Sequence, residues 1–352
     1  MASGIDDVAR AAGVSTATVS RALRGLPNVN HDTRERVRRV AAQLGYVASP
    51  SAASLASGRT RTIGLISPMV NRWYFSNVIE GAERALRSQG FDVLLYTFEL
   101  RGAEGRVRVD SDVLRRRVDG VLVVGLPLEE DEIEALLALG HPLVCIGWGG
   151  FGQVTVRLDD HATAVEATQH LIDLGHRTIG HITGSPDDVA PWSPPIWREA
   201  GWRAALEGAG LEVSDDLMVH GGFDVQGGRA SMRRLVEARP DVTAVFVASD
   251  EMAMGAVLAL RDLGLRVPAD VSVVGVDGHD LGELVGLTTM VQPAPEQGAM
   301  AAQLVLDMIA GVVPPRELVV PTELLVRSST APPRGADLPA PQGAPAPPAP
   351  AV

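Results

Sequence analysis

The chain has 352 residues, 46% of them apolar, which is too long for one small domain and apolar enough for two or three real cores. A net charge of −12 excludes a protein that coats nucleic acid over its whole surface, and the single cysteine, Cys145, excludes an intramolecular disulfide and fits a reducing compartment. No apolar run reaches membrane-spanning length and the N-terminus lacks a signal-peptide core, so a soluble, cytoplasmic protein is expected.

The charge is uneven. Residues 1–60 carry eight arginines against four acids, a balance of +4 that leaves −16 for the remainder. A basic head on an acidic body predicts local contact with a polyanion. Residues 5–23 read as two short helices about a tight turn. Val8 and Ala9 give the first an apolar face, Gly13 supplies the reversal, and Ser15 suits the cap of the second. Val14, Val19 and Leu23 then point inward. That is the layout of a helix-turn-helix, whose second helix enters the major groove of DNA. Arg21 can fork onto guanine O6 and N7, and Thr16 or Ala17 can touch a thymine methyl. Ser15, Thr18 and Ser20 are short hydroxyl residues suited to phosphate oxygens. The plainer alternative is an amphipathic helical pair with no DNA role. A third helix over residues 31–44, capped by Asn30 and stopped by Gly45, would close this small domain. Residues 48–58 form a linker rich in Ala and Ser.

From Thr62 the texture changes. Strands are expected at 63–67, 91–96, 120–125, 142–146 and 153–158, alternating with helices at 78–89, 106–117 and 129–139. The pattern then repeats: a helix at 162–174, a strand at 178–183, helices at 199–209 and 227–239, a strand at 244–248, a helix at 251–263, a strand at 271–276 and a helix at 295–309. Residues 319–326 are extended and are expected to cross between lobes. Alternating βαβ units mean an α/β protein with two doubly wound, parallel-sheet lobes behind an all-α helix-turn-helix headpiece. Residues 331–352 are dominated by Pro and Ala, cannot order themselves, and offer no leucine heptad for a tetramer, so a homodimer is expected.

Three sequence features resemble one known family. Asp7-Val-Ala-Arg-Ala-Ala-Gly-Val-Ser-Thr-Ala-Thr-Val-Ser-Arg-Ala-Leu23, Thr33-Arg-Glu-Arg-Val and Leu44-Gly-Tyr46 resemble the DNA-binding headpiece of the LacI/GalR family of bacterial repressors. Ala53-Ser-Leu55-Ala-Ser-Gly58 resembles that family's hinge. Leu174-Gly-His-Arg-Thr-Ile179 and Val273-Val-Gly-Val-Asp277 extend the resemblance through a core similar to periplasmic sugar-binding proteins. The resemblance implies a headpiece at 1–47, a hinge at 48–60 and a two-lobed effector and dimerisation core at 61–330. One lobe would hold 62–160 and 291–320, and the other 161–290 and 321–330. It also implies a hinge helix that forms on operator DNA, with Leu55 as a minor-groove wedge. Asn28 and Ala56 complete the DNA-facing set.

Effector residues are expected where open α/β sheets bind ligands, outside the carboxyl ends of strands. Trp73, Trp148, Trp192 and Trp197 fall in such segments, and flat aromatic faces suit the C–H faces of a sugar. Core packing is the alternative for each, and Trp202 heads an apolar helix face and reads as core. By resemblance, Arg198 and Asp277 grip the effector, and an Arg and an Asp can share the hydroxyls of a polyol. A structural ion pair is the alternative. Tyr74, Phe75 and Ser249 complete the set. The chain departs from the family pattern at Arg72-Trp-Tyr-Phe75, at Ser249-Asp250 and at Gly147. Gly147-Trp-Gly-Gly-Phe-Gly152 formally matches a dinucleotide fingerprint, but a strand pattern follows it where a helix is required. His141, His176 and His181 read as structural or solvated. No catalytic, cofactor or metal motif is present in the sequence. The expected function is that of a DNA-binding repressor of carbohydrate genes, released from a palindromic operator by a sugar or glycoside. The alternatives are a corepressor-dependent regulator with an effector such as a nucleobase, an enzyme built on the lobes, an exported sugar-binding component and an architectural DNA binder.

Overall fold

The computed structural model describes residues 4–23, 25, 27–46, 59–97, 100–101, 105–106, 108–125, 128–148, 152–185 and 193–334. Three helices form the headpiece: α1 (Ile5–Ala12), α2 (Thr16–Leu23) and α3 (His31–Gln43). Gly13 turns the chain between α1 and α2 at φ 65°, a conformation only glycine adopts cheaply. The Asn30 side chain accepts the Thr33 N–H at 2.8 Å and so caps α3. Val8, Val19, Ala22 and Val37 lie at the centre of the headpiece core with no exposed surface.

The first lobe is a six-stranded, wholly parallel sheet. Its strands are β1 (Thr62–Ser67), β2 (Asp92–Thr97), β5 (Gly120–Val124), β6 (Leu143–Ile146), β7 (Val154–Leu158) and β13 (Glu317–Val320), in the order β13-β7-β6-β5-β1-β2. Between β2 and β5 lies a short hairpin of β3 (Leu100–Arg101) and β4 (Gly105–Arg106). Helices α4 (Trp73–Ser88), α5 (Glu130–Leu137) and, from late in the chain, α10 (Ala294–Ile309) belong to this lobe. The second lobe repeats the plan with β8 (Ile179–Thr183), β9 (Met218–His220), β10 (Ala244–Val247), β11 (Ser272–Asp277), β12 (Thr288–Val291) and β14 (Glu323–Leu325), in the order β14-β12-β11-β10-β8-β9. Only β14 runs antiparallel. Helices α6 (Asp160–Asp173), α7 (Pro194–Gly208), α8 (Val225–Ala238) and α9 (Asp250–Asp262) cover it. In each lobe the strand order reverses beside the first strand, between β1 and β5 and between β8 and β10. These are the switch points at which a crevice opens.

Close helix packing positions the site. A methyl group on Gly298 of α10 would stand 2.0 Å from the Val78 carbonyl of α4, so glycine alone lets the two backbones touch. The chain changes sheets between β13 and β14, as the extended pattern at 319–326 predicts.

Several elements differ from expectation. The helix expected over 106–117 is replaced by the β3–β4 hairpin and a single 3-10 turn, Ser111–Val113. The buried residues Val109, Leu114 and Val118 are unevenly spaced, and Arg116 adopts φ 60°, which breaks a helix. Helix α4 starts five residues before the expected 78, and α7 starts at Pro194 rather than 199. Both β12 and the 3-10 segment Asp280–Val285 escaped the periodicity. Residues 331–334, expected in a disordered tail, are seated on the second lobe. His176 Nε2 meets the Ala331 carbonyl at 2.9 Å and Arg334 pairs with Asp270 at 2.9 Å. No described helix is long and apolar enough to cross a membrane.

Candidate functional site

The headpiece offers a polar, exposed face on α2. The Ser15 hydroxyl accepts the Thr18 N–H at 3.2 Å and lies 2.9 Å from the Thr18 hydroxyl, so it caps the helix as expected. Ala17 and Arg21, one turn apart, are both exposed. Thr16, Thr18 and Ser20 are half-buried beside them, and Asn28 is exposed at φ 68°. Leu55 and Ala56 lie outside the described residues.

In the second lobe, charged groups gather at the carboxyl ends of the strands. Arg198 sits on α7 and is 5% exposed, so its charge must be compensated within the protein. Its Nε donates to Asp160 Oδ1 at 2.8 Å, and its Nη1 donates to the Ala248 carbonyl. Burial pushes the Asp160 carboxyl up, against the pull of Arg198. Asp277 ends β11 at φ 138°, a backbone region that non-glycine residues seldom occupy. Its Oδ1 accepts from Gln292 Nε2 at 2.6 Å and its Oδ2 from the Asp250 N–H at 3.2 Å. Asp250 in turn ties down the turn that follows Asp277, accepting the Gly278 and His279 N–H groups at 2.9 and 2.8 Å and the Thr289 hydroxyl at 2.7 Å. Burial raises the pKa of both carboxyls, and the charge of Asp250 raises that of Asp277 further, while Arg198 and the Gln292 amide oppose the rise. The Ser249 hydroxyl is engaged in capping α9, accepting the Met252 N–H at 3.3 Å.

Trp73, Tyr74 and Phe75 form the first turn of α4 in the first lobe rather than a loop. The Trp73 ring stacks on His279 of the second lobe, with centroids 5.5 Å apart, so the carboxyl ends of β1 and β11 face each other. Tyr74 meets Phe75 edge-on at 5.4 Å. A methyl group on Gly147 would stand 2.5 Å from the Tyr74 hydroxyl, so the glycine makes room for a phenol. Burial, with the charges of Asp160 and Asp277, pushes the Tyr74 hydroxyl above the usual phenol range, and Arg198 opposes them.

Two hydrogen-bonded connections also join the lobes here. Arg72 donates to Glu251 at 3.0 Å and to Asp224 at 3.3 Å, and Glu251 also accepts the Trp73 N–H at 3.0 Å. A carboxylate from α9 therefore caps α4. The second connection is a chain of amides. Tyr74 lies 3.5 Å from Gln297 Oε1, Gln297 Nε2 donates to Gln292 Oε1 at 3.0 Å, and Gln292 donates to Asp277.

The tryptophans divide. Trp148 is 2% exposed within the apolar cluster of Ile66, Val123 and Cys145, so it presents no free face, contrary to expectation; its position just after a strand reflects the core beneath β6. Trp192 lies outside the described residues. Trp197 is 47% exposed, and Trp202 is fully buried and donates to the Ile179 carbonyl at 3.2 Å. His181 is buried between Phe246 and Trp202, and His176 joins Thr243, Ser272 and Ala331. Sequence reasoning missed Asp160, Glu251, Gln292, Gln297 and His279. A partner for the expected Arg198 was the only available signal, because each of these residues acts through a contact distant in sequence. No group of three or more His, Cys, Asp or Glu among the described residues could hold a metal ion.

Residues 4–49 match the family model "Bacterial regulatory proteins, lacI family", and residues 168–330 match "Periplasmic binding protein-like domain". The chain is 36% identical over 340 residues to the HTH-type transcriptional regulator CelR of Thermobifida fusca, covering 92% of this chain and 97% of that protein. A solved structure of a CelR–cellobiose complex is 34% identical, with a TM-score of 0.69 over 93% of this chain and 99% of that one. The lac repressor dimer bound to operator and the anti-inducer ONPF is 24% identical and shares the fold, with a TM-score of 0.80 over 94% of this chain and 100% of that one.

Proposed function

Since this chain belongs to the lacI family of bacterial regulatory proteins and is a DNA-binding transcription regulator, we propose that it is a repressor released from a near-palindromic operator by a sugar or glycoside bound between its lobes. The observation that carries this reading is the hydrogen-bond chain from Tyr74 through Gln297 and Gln292 to Asp277, which joins the lobes where the half-buried ring of Trp73 stacks on His279, in the lobe that also buries the Arg198–Asp160 pair. A guanidinium and a carboxylate can share vicinal hydroxyls, and an indole face suits the apolar face of a pyranose. Likeness to a cellobiose-bound regulator favours a sugar over a nucleobase.

In this reading residues 1–47 read DNA and residues 48–60 form the hinge, with Leu55 and Ala56 at the minor groove. Residues 61–330 bind effector and pair with a second copy. The exposed Leu258, Leu281 and Leu284, at 39%, 50% and 80%, offer apolar surface for that pairing. Arg21, Ala17 and Thr16 meet base edges, while Ser15, Thr18, Ser20 and Asn28 meet the backbone. An effector that touches Trp73, Tyr74 and Phe75 from one lobe and Arg198, Ser249 and Asp277 from the other favours one lobe arrangement by its differential contacts. Operator and effector must then weaken each other by the same factor. The protein works in the cytoplasm and turns over no substrate.

The test is a melting screen of the full chain with cellobiose, other disaccharides and adenine. It is paired with binding to a duplex that the chain itself selects from a randomised library. A ligand at about 100 times its Kd stabilises the native state by about 2.7 kcal/mol. The expected result is that a disaccharide raises the melting point and releases the duplex. Stabilisation by adenine alone, or no selected duplex, would overturn the reading.

A further inference from the structure

Residues 59–62 bring the chain into the first strand of the core, and one carboxylate holds them. Asp119 Oδ1 accepts the Thr60 N–H at 2.7 Å and the Thr60 hydroxyl at 2.9 Å, and Oδ2 accepts the Arg61 N–H at 2.8 Å. Backbone bonds stitch the same segment to its neighbours: the Asp119 N–H donates to the Thr62 carbonyl at 2.8 Å and the Asp92 N–H to the Arg61 carbonyl at 2.9 Å. Arg61 lies at φ 51°, a left-handed conformation that a non-glycine residue keeps only when its surroundings hold it there.

This anchor stands where β1, β2 and β5 begin, whereas the proposed effector groups stand where strands end. Strands β1 and β5 are hydrogen-bonded neighbours buried on both faces, and such a pair moves as a unit. They connect the two ends of the lobe directly. We propose that Asp119 is the positioning residue that fixes the hinge to the first lobe, so that a lobe movement reaches the headpiece instead of being lost in slack chain. This rests on the hinge reading given above. Hydrogen bonds to a charged acceptor are the stronger kind, and three converge on this carboxylate from two successive residues. Without them the backbone of residues 60 and 61 would regain rotational freedom, which must be lost again each time the headpieces are seated.

The experiment uses the full chain with Asp119→Ala and Asp119→Asn, the latter keeping the size but replacing one acceptor oxygen with a donor. Amide exchange is measured on the peptide covering residues 59–67. Affinity is measured for a duplex selected by the wild-type chain from a randomised library. Exchange at Thr60 and Arg61 should accelerate. Duplex affinity should fall by about tenfold, equivalent to one charge-assisted bond. Base preference and the cooperativity of core unfolding should stay unchanged, which a general loss of structure would not allow. Should Asp119→Ala fail to fold, Thr60→Val deletes only the hydroxyl bond and carries the comparison on a smaller scale. Unchanged exchange overturns the proposal, as does a selected duplex bound equally well by wild type and variants. A wild-type chain that selects no duplex overturns the regulator reading and this role with it.

Discussion

Arg198→Met separates the two roles open to that residue, ligand grip and internal ion pair. The substitution leaves the Asp160 side chain, 9% exposed, without its partner 2.8 Å away. Removing one member of a buried pair costs about 3–5 kcal/mol. The Ala248 carbonyl loses its donor as well, worth about 1–3 kcal/mol when left unsatisfied. Protonation offsets part of this, because burial already raises the Asp160 carboxyl. A net loss of about 3–5 kcal/mol is expected. It should be seen as an earlier urea midpoint by tryptophan fluorescence, since Trp202 lies in the core one turn along α7 from Arg198. The double variant Asp160→Leu/Arg198→Met removes both charges and should regain most of the stability, because an apolar replacement of a buried pair is often neutral. It should not regain the response to a disaccharide. A single variant within about 1 kcal/mol of wild type would refute the stability argument, since that is less than breaking a buried pair costs. A double variant that still responds would show the guanidinium to be structural only.

Three further outcomes follow from other residues. Arg21→Ala should cost about 1–3 kcal/mol of base discrimination, read as a flattened preference at one position of the selected duplex. Gly147→Ala should place a methyl 2.5 Å from the Tyr74 hydroxyl on a backbone at φ 83°. Overpacking of this kind costs about 1–3 kcal/mol; effector binding measured by calorimetry should be lost, and Tyr74→Phe should restore part of it. The third concerns pH. Burial pushes the His181 imidazole down to about 3, with Nδ1 donating to the Phe246 carbonyl and Nε2 unpartnered. The folded state therefore resists protonation that the unfolded chain accepts below about 6.5. His181's contribution is intact above that pH and falls by about 1.4 kcal/mol per unit as the solution is acidified toward 3. Between pH 6.5 and 5 wild type should lose about 2 kcal/mol more than His181→Leu in urea titrations; equal losses would show that this imidazole is not held neutral.

Local signals carried much of the molecule. Gly13, Ser15 and Asn30 mark helix ends by chemistry confined to a few residues, and the headpiece follows from them. Apolar runs such as Ile63-Gly-Leu-Ile mark parallel strands because both faces are covered, so the lobes were legible as well. Arg198 and Asp277 could be picked out through resemblance, although the sequence did not disclose their partners. Burial of Trp148 could not be read, because a tryptophan after a strand looks the same whether it faces a crevice or a core.

The sequence by itself determined the order of elements, the exposed polar face of α2 and the class of fold, because caps, turns and hydrophobic periods are set by neighbours along the chain. Tertiary structure alone decided that α4 begins at Trp73, since its cap is Glu251, 178 residues away. It also decided that Asp119 holds Thr60 and that Gln292 and Gln297 link Tyr74 to Asp277. The physical reason is common to all three: a polar side chain shows only its donors and acceptors in the sequence, and the folded chain selects which of them meet.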